Sequence, residues 1–410
     1  MTADNWLILI VGLIIFDFAF DKVLDFLNSR NWKEEIPDEL KDHYDLEKYR
    51  TAKAYHKENG KLGLISSILS LALMLGAILS GAFGILNRYL SSQFESVYLQ
   101  TAFFFLVLFV ISDLISLPFS LYKTFRIEEK YGFNKTTVKT FILDKIKGYV
   151  LAAVIGGGLL WVVLFLIEYF QEGFWLWIWL VIAGFALLMN MFYADIILPL
   201  FNKLKPLEEG ELKDEIQNYA KKIGYSLKNI YVIDGSKRST KANAFFSGLG
   251  PRKTIALYDT LIEKHSNEEL VAILAHEVGH FKKKHILVSM VISILQMGLM
   301  IFLFEQFIKI PEVSQALGAE TTTFHIGLIA FGIVLSPVNL ITGIFMSVLS
   351  RKNEYEADDF AKETYRAEPL IEGLKKLSVD NLANLHPHPF YVFVHYSHPP
   401  LLKRIANLRK

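Results

Sequence analysis

The chain has 410 residues, of which 52% are hydrophobic and 14% aromatic, an apolar share above that of ordinary soluble domains. The formal net charge is +1, so the composition does not favour nucleic acid as a partner. Cysteine is absent, which excludes disulfide bonds and restricts any metal site to nitrogen and oxygen ligands.

Seven stretches of the sequence are long and apolar enough to cross a hydrocarbon core of about 30 Å. The first follows Met-Thr-Ala-Asp-Asn without the basic region or cleavage site of a signal peptide, so we interpret it as a retained membrane helix. Acidic residues weaken the hydropathy of the first and third stretches. The predicted spans are 6–27, 62–86, 101–122, 148–170, 174–201, 286–310 and 324–349.

Lys and Arg are distributed unevenly between the predicted spans. Three segments are rich in them, with eight in 29–61, six in 123–146 and fifteen in 202–285. The alternate segments hold one in 88–99 and none in 171–173 or 311–322. Because cytoplasmic loops carry the excess of basic residues, the pattern predicts that the basic segments and the C-terminal tail face the cytoplasm.

The predicted fold is predominantly α-helical, with an α/β portion on the cytoplasmic side. Within that portion the pattern predicts a helix at 208–223, a strand at 229–233 and two strands, 242–246 and 254–257, joined by a turn at 248–251. We divide the chain into residues 1–201 (five spans, with cytoplasmic loops at 29–61 and 123–146), 202–285 (the catalytic segment), 286–350 (two spans) and 351–410 (a cytoplasmic segment that completes the site).

A helix is predicted to begin after Ser266, which forms a capping-box pattern with Glu269 three residues later. The helix runs through an apolar stretch into His276-Glu277-Val278-Gly279-His280. Histidines four residues apart lie about 40° apart around a helix, so both imidazoles can reach one metal ion. Glu277 lies one step round the helix, where it can act as the general base on a metal-activated water.

An alternative interpretation of this motif is a pair of exposed histidines on an amphipathic helix, beside the lysines of 282–284. The placement of the motif argues against that alternative. The predicted helix is capped, is apolar on its other face and directly precedes a membrane span.

A catalytic zinc site usually has three protein ligands and one open position. Directly after the last predicted span, Glu354 and Asp358 are four residues apart on a predicted helix. One of them could bind the metal while the other orients a ligand histidine. A solvated, charged helix start explains the same acids equally well, and spacing alone leaves both interpretations open.

Four motifs occur in the same order as in a known family, on a matching seven-span arrangement. They are Glu-Glu-Lys-Tyr-Gly-Phe-Asn-Lys at 128–135, His-Glu-Val-Gly-His at 276–280, Asn-Glu-Tyr-Glu-Ala-Asp at 353–358 and Tyr-Ser-His-Pro-Pro at 396–400. On these motifs the chain resembles the type I CAAX prenyl endopeptidases, membrane zinc proteases that mature prenylated proteins. The resemblance covers nearly the whole chain.

The resemblance implies a zincin-like (gluzincin) catalytic portion that binds one Zn²⁺ per chain. Its ligands would be His276, His280 and Glu354. It also implies that Arg404 braces the site by pairing with an acid such as Asp358.

The resemblance also implies roles for three further residues. His398 would lie near the metal, where it could donate a hydrogen bond to the developing oxyanion. Asn243 and Ala244 are similar to the edge strand along which zincins bind an extended peptide. The family also implies that the seven helices enclose a chamber, with the metal site at its cytoplasmic end.

The expected partners are the lipid bilayer and a peptide or protein substrate, with or without a C-terminal prenyl group, and nucleic acid is not expected. The short segment between the sixth and seventh spans and the absence of a C-terminal dilysine signal favour a bacterial-type member in a plasma membrane over a eukaryotic member in the endoplasmic reticulum. For a bacterial member, quality control of membrane proteins is the alternative function. Acids within the predicted spans support a further alternative, a transporter with a structural zinc site.

Overall fold

The protein is mostly helical in the computed structural model, which describes residues 1–225, 229–247 and 254–410. Three short π-helical segments lengthen the helices: Lys123–Glu128 continues the α-helix before it, whereas Ala152–Gly156 and Tyr193–Ile197 each join two successive α-helices. The α-helices in chain order are α1 (Ala3–Arg30), α2 (Leu46–Leu79), α3 (Ala82–Gln93), α4 (Val97–Tyr122), α5 (Val138–Leu151), α6 (Gly157–Phe170), α7 (Phe174–Phe192), α8 (Leu198–Phe201), α9 (Glu211–Lys222), α10 (Asp259–Ile262), α11 (Asn267–Lys282), α12 (His285–Phe307), α13 (Pro311–Ala316), α14 (Phe324–Val334), α15 (Ser336–Thr364), α16 (Ala367–Asp380), α17 (Pro389–His395) and α18 (Leu401–Leu408).

Five helices of the described chain are long and apolar enough to cross a membrane, and the bent pair α14–α15 is a sixth candidate. The two helices of this pair meet at an angle of 54°. Pro337 lies in the first turn of α15, where it has no N–H to donate and its ring does not fit a continuing helix, so the helix breaks just before it. The five single helices are Leu46–Leu79, Val97–Glu128, Val138–Phe170, Phe174–Phe201 and His285–Phe307.

The remaining predicted span, 6–27, falls on α1, a helix of 28 residues. Asp17, Asp21 and Asp25 lower its hydropathy, and α1 is not among the helices that composition identifies as spans. Large apolar side chains such as Phe16 are nevertheless exposed on it. The count of seven spans therefore stays a prediction.

A hydrophobic cluster joins the helices at the end of the bundle that is predicted to be non-cytoplasmic. Ile10 of α1 and Phe104 of α4 are fully buried in it. Beside the cluster, Glu305 of α12 accepts hydrogen bonds from the backbone N–H groups of Gly173 at 2.9 Å and Trp175 at 3.0 Å. Glu305 thereby satisfies two unpaired donors at the start of α7 and ties it to α12.

Two acids inside the predicted spans, Asp113 and Glu168, have hydrogen-bond partners on neighbouring helices. Asp113 of α4 accepts from Lys145 Nζ at 2.5 Å and from the Tyr149 hydroxyl at 2.6 Å, both on α5. Glu168 accepts from the Tyr98 hydroxyl at 2.5 Å. Because interhelical contacts account for Asp113 and Glu168, these two acids give no independent support to an ion pathway.

Four strands form one mixed sheet in the order β1-β2-β4-β3. Strands β2 and β4 are parallel, whereas β3 runs antiparallel to β4 at the edge, with Ala244 opposite Leu257. The short strand β1 was not predicted, and the turn predicted at 248–251 lies outside the described residues. The strands are β1 (Leu204–Pro206), β2 (Asn229–Ile233), β3 (Ala244–Ser247) and β4 (Thr254–Tyr258).

Helix α11 is the central element of the α/β portion and packs against α9, α15 and α16. Residues 270–275 are all buried, as expected for a helix that is covered on every side. At Gly279 a β-carbon would lie 3.1 Å from both Cα and the carbonyl oxygen of Ala357. The lack of a side chain at Gly279 therefore lets the histidine-bearing end of α11 lie directly against α15.

We predict that Gly84→Ala destabilises the protein, because a β-carbon on Gly84 of α3 would lie 1.8 Å from the carbonyl oxygen of Gly318. Overpacking of this kind typically costs about 1–3 kcal/mol. The measurement is thermal unfolding of the detergent-solubilised protein. Gly76→Ala is the matched control, since nothing lies within 4 Å of a β-carbon built on that helical glycine. Equal melting temperatures for the two variants would contradict the prediction.

Candidate metal centre

The start of α11 is fixed by the capping box that the sequence predicts. Ser266 Oγ accepts a hydrogen bond from the N–H of Glu269, and Glu269 Oε2 accepts one from the N–H of Ser266, both at 3.3 Å. Lys376 of α16 also donates to Glu269 Oε1 at 2.6 Å. Fixing this end sets the helical register, which turns His276 and His280 toward α15.

The imidazoles of His276 and His280 converge with the carboxylate of Glu354 on α15. The two Nε2 atoms are 3.2 Å apart. Glu354 Oε2 lies 3.5 Å from His276 Nε2, and its Oε1 lies 3.3 Å from His280 Nε2. One ligand atom from each residue lies within 4.8 Å of the others, which makes this cluster a candidate metal site in the described part of the chain.

The donor set fits a metal ion. Glu354 Oε2 is buried and makes no hydrogen bond, although Arg404 Nη1 lies 3.3 Å from it without hydrogen-bond alignment. A buried acceptor left without a partner is costly, and a bound cation would satisfy it. Two imidazoles and one carboxylate are also the ligand set of many catalytic zinc sites, which keep a further position open.

Asp358 and Arg404 lie directly behind His276. Asp358 Oδ1 is 2.9 Å from His276 Nδ1, and the Arg404 guanidinium donates to both Asp358 oxygens, from Nε at 2.8 Å and from Nη2 at 2.6 Å. All three side chains are buried. A carboxylate that accepts the Nδ1 proton leaves the Nε2 lone pair of His276 facing the metal position.

The same contacts set the pKa of His276. Burial and the charge of Arg404 lower this pKa, but the hydrogen bonds with Asp358 and Glu354 outweigh them and raise it to about 9. Because an imidazole binds a metal only through an unprotonated nitrogen, an ion that enters the site displaces a proton from His276.

His280 has a different partner, which the sequence did not reveal. Its Nδ1 lies 3.1 Å from Nδ1 of His285, the first residue of α12. His285 Nε2 in turn lies 3.1 Å from Glu356 Oε2 on α15. Glu356 stands between Glu354 and Asp358 in the motif at 353–358, and this is the sequence signal that could have indicated the contact.

One cavity of about 500 Å³ brings the predicted site residues together. Glu277 lines it without belonging to the metal-ligand cluster. Asp358 is not among the lining residues, since it lies behind His276. The site residues on the cavity wall are Asn243, Ala244, His276, Glu277, His280, Glu354, His398 and Arg404.

His398 lies at the rim of the cavity on the segment before α18. Its Nε2 is 3.3 Å from Glu354 Oε1, and its side chain is 64% exposed. The Ser397 hydroxyl lies 2.9 Å from His398 Nδ1. The imidazole is therefore close to the metal position and still accessible to a molecule in the cavity.

Asn243 and Ala244 lie where the chain enters β3. The Asn243 carbonyl accepts a hydrogen bond from the Tyr258 N–H at 3.1 Å, and its side-chain Oδ1 accepts from the Ala244 N–H at 2.9 Å. In the order of the described strands β3 is at the edge, beside the cavity. Among the strands that the structure describes, none pairs with the outer edge of β3.

The motif at 128–135 contacts the segment just before Asn243. Glu128 accepts from the Tyr55 hydroxyl at 2.6 Å and from Lys241 Nζ at 3.1 Å. The Thr240 N–H donates to the Phe133 carbonyl at 3.1 Å. These long-range contacts hold the segment that leads into β3 in place. The sequence did not indicate this role for the motif at 128–135.

Two family models together match most of the sequence. Residues 26–203 match the family described as CAAX prenyl protease N-terminal, five membrane helices. Residues 206–410 match Peptidase family M48. Together the two matches cover almost the whole chain.

Individual relatives share the full length. The chain is 34% identical to CAAX prenyl protease 1 of Saccharomyces cerevisiae, over 98% of this chain and 95% of that protein. It is also 34% identical to the human CAAX prenyl protease 1 homolog, over 91% of this chain and 88% of that protein. The crystal structure of S. mikatae Ste24p superposes with a TM-score of 0.93 at 33% identity and covers 99% of both chains.

Apolar spanning helices and a largely buried His–His–Glu cluster, together with these matches, define a membrane zinc metalloprotease. The chain belongs to the CAAX prenyl protease 1 family and carries an M48 peptidase domain. The predicted family and the predicted class of enzyme are thus confirmed, and the transporter alternative loses its support.

Asp358→Asn is expected to weaken metal binding about 10- to 100-fold, because the neutral amide is a weaker acceptor for the His276 Nδ1 proton and cannot accept both hydrogen bonds by which Arg404 holds residue 358 in place. The measurement is competition for zinc between the purified protein and a chromophoric chelator. Asp359→Asn is the matched control, since Asp359 is the next residue on α15, is exposed and contacts Asn407 instead of a metal ligand. An unchanged affinity in Asp358→Asn would rule out the orienting role of Asp358.

Proposed function

We propose that the protein hydrolyses peptide bonds near the C-terminus of prenylated, CAAX-type proteins, with one Zn²⁺ bound by His276, His280 and Glu354. The observation that carries the proposal is the convergence of these ligands with Glu277 on one cavity beside an open strand edge. Relatives named as CAAX prenyl proteases match nearly the whole chain, which supports the substrate class.

The proposed fold has seven transmembrane helices around a chamber and a gluzincin-like portion on the cytoplasmic side. Helix α1 has 28 residues, enough to span about 42 Å at 1.5 Å per residue, and the bent pair α14–α15 would form one span. The basic residues of the predicted cytoplasmic segments support the orientation. The proposed parts are 1–201, 202–285, 286–350 and 351–410, in a plasma membrane for a bacterial host and the endoplasmic reticulum membrane for a eukaryotic one.

A zinc ion at this site would supply a Lewis acid that polarises the scissile carbonyl and lowers the pKa of a water molecule. Glu277 acts as the general base: its carboxylate takes a proton from the attacking water and passes it to the leaving amine. The position of Glu277 supports this role, because the side chain lines the cavity but is not part of the ligand cluster.

His398 stabilises the negative charge that develops on the carbonyl oxygen by donating a hydrogen bond from Nε2. Its exposure at the cavity rim and its short distance from Glu354 support this role. The hydroxyl of Ser397, beside Nδ1, orients the ring. Arg404 acts from behind the site, where it holds Asp358 against His276.

The substrate binds in an extended conformation and adds a strand to the open edge of β3, with Asn243 and Ala244 contacting its backbone. The same cavity is also lined by Leu370, Leu374 and Leu377 of α16. An apolar wall at this position suits the aliphatic residues of a CAAX sequence.

Glu277→Gln is expected to keep bound zinc and to lose about 10²- to 10⁴-fold in kcat, because only the proton acceptor is removed. The measurements are zinc content by elemental analysis and cleavage of a farnesylated CAAX peptide by purified protein. Glu268→Gln is the matched control on the same helix, since Glu268 is exposed and pairs with Arg366. Parental turnover in Glu277→Gln would show that the assigned base is wrong.

A farnesylated peptide is expected to show a kcat/KM more than about tenfold above that of the same peptide without the prenyl group. Burial of only two of its methylenes would be worth about 1.6 kcal/mol, which exceeds a factor of ten. The measurement is cleavage-site mapping and kinetics on the matched peptide pair. Equal rates would favour the alternative, a quality-control protease without a prenyl requirement.

A further inference from the structure

His285 and Glu356 form a hydrogen-bonded pair behind the metal ligand His280. His280 Nδ1 lies 3.1 Å from His285 Nδ1, and His285 Nε2 lies 3.1 Å from Glu356 Oε2. The His285 side chain is buried. A metal-binding histidine usually donates its second N–H to a carboxylate, a carbonyl or water, so the partner of His280 is unusual.

Two facing imidazole nitrogens form a hydrogen bond only when one carries a proton and the other does not. The carboxylate of Glu356 can only accept, so the proton of a neutral His285 resides on Nε2. His285 Nδ1 is then an acceptor, and His280 carries its own proton on Nδ1. The unprotonated Nε2 of His280 consequently faces Glu354 and the metal position.

The opposite arrangement would remove the metal ligand. If His285 donated from Nδ1, the proton of His280 would move to Nε2, where it would block the lone pair. Lys352 Nζ lies 3.6 Å from the other oxygen of Glu356, and this positive charge favours the ionised, accepting form of the carboxylate. The pair thus forms a relay, in which Glu356 fixes the proton of His285 on Nε2 and His285 in turn fixes the proton of His280 on Nδ1.

The backbone between the two histidines is shaped for this contact. Helix α11 ends at Lys282 and α12 begins at His285. Lys284 between them adopts a left-handed conformation, with φ of +61°, which residues other than glycine rarely adopt. This tight turn returns His285 to His280 five residues earlier in the chain, and such strain persists where the surroundings require the geometry.

We propose that His285 and Glu356 are positioning residues, which fix the tautomer of His280 and thereby raise the affinity of the site for its metal. The proposal rests on the zinc site proposed above. Asp358 fixes the tautomer of His276 by a direct contact, whereas the tautomer of His280 is fixed through two side chains in series, His285 and Glu356.

The test measures the zinc affinity of the full-length, detergent-purified protein by competition with a chromophoric chelator. His285→Leu removes the acceptor, and we expect a loss of about 10- to 100-fold. His285→Asn keeps an oxygen close to the position of Nδ1 and should recover most of the parental affinity. Recovery by this variant would separate an orienting role from a merely space-filling one.

Glu356→Leu tests the second half of the relay, because leucine offers no acceptor to the Nε2 proton of His285. This substitution should weaken zinc binding in the parental protein. It should have no further effect in the His285→Asn background, because the amide oxygen of that variant accepts the Nδ1 proton of His280 without help from residue 356. This non-additivity is the signature of a relay. Additive losses would overturn the proposal, and the pair of variants decides the matter even if His285→Leu fails to fold.

Substitution with Co²⁺ provides a spectroscopic readout, since its visible absorption reports on ligand geometry. His285→Leu should alter the parental spectrum, and His285→Asn should restore it. His265→Asn is the matched control, because His265 is also buried but hydrogen-bonds to the Leu261 carbonyl. A parent that binds no zinc would refute the proposed metal site itself. A zinc-binding parent whose affinity and Co²⁺ spectrum survive His285→Leu would refute only the relay.

Discussion

The contact between α11 and α15 is the constraint on which the site depends. At Gly279 there is no side chain to hold the helices apart, and a β-carbon there would lie 3.1 Å from Ala357 Cα. The two imidazoles of α11 can therefore meet the carboxylate of Glu354, which lies one turn from Ala357. The ligands come from two rigid helices instead of loops, so their separation is set by helix packing, and side-chain rotation changes it little.

The close contact of the two helices brings ionisable side chains together, most of them buried, and their net negative charge requires a compensating positive charge. Glu354, Asp358 and Arg404 are all buried, and Glu277 lines the adjoining cavity. Three carboxylates and one guanidinium leave an excess of negative charge, which is costly because three of these four groups are buried. A divalent cation between the ligands would bring the formal charge of the group to zero. The same electrostatic need accounts for the raised pKa of His276, which holds a proton when no cation is bound.

Sequence patterns predicted those parts of the site that are formed within a single helix. The capping box at Ser266 and the pair His276 and His280 follow from spacing within one helix, and the structure forms both. Glu354 could not be chosen by spacing, since it reaches the histidines only through the packing of a distant helix, and the family resemblance supplied it. His285 was missed because its contact with His280 crosses a helix break at Lys284, where helical periodicity no longer applies. The short strand β1 was missed for a related reason, because three residues carry no periodic signal.

The candidate spanning helices also set the position of β3, the strand along which we propose that the substrate binds. Arg238 donates to both oxygens of Asp144 on α5, at 2.7 and 2.9 Å, and to the Phe201 carbonyl of α8 at 2.7 Å. A few residues further on, Lys241 contacts Glu128 and Tyr55, whose helices belong to the spanning set. Asn243 follows two residues after Lys241, so the edge of β3 is anchored to the candidate spanning helices, and Glu354 lies on α15, which is itself part of a candidate span. A peptide held along β3 would therefore meet the metal ligands at a fixed position relative to these helices, which suits the prenylated substrate proposed above.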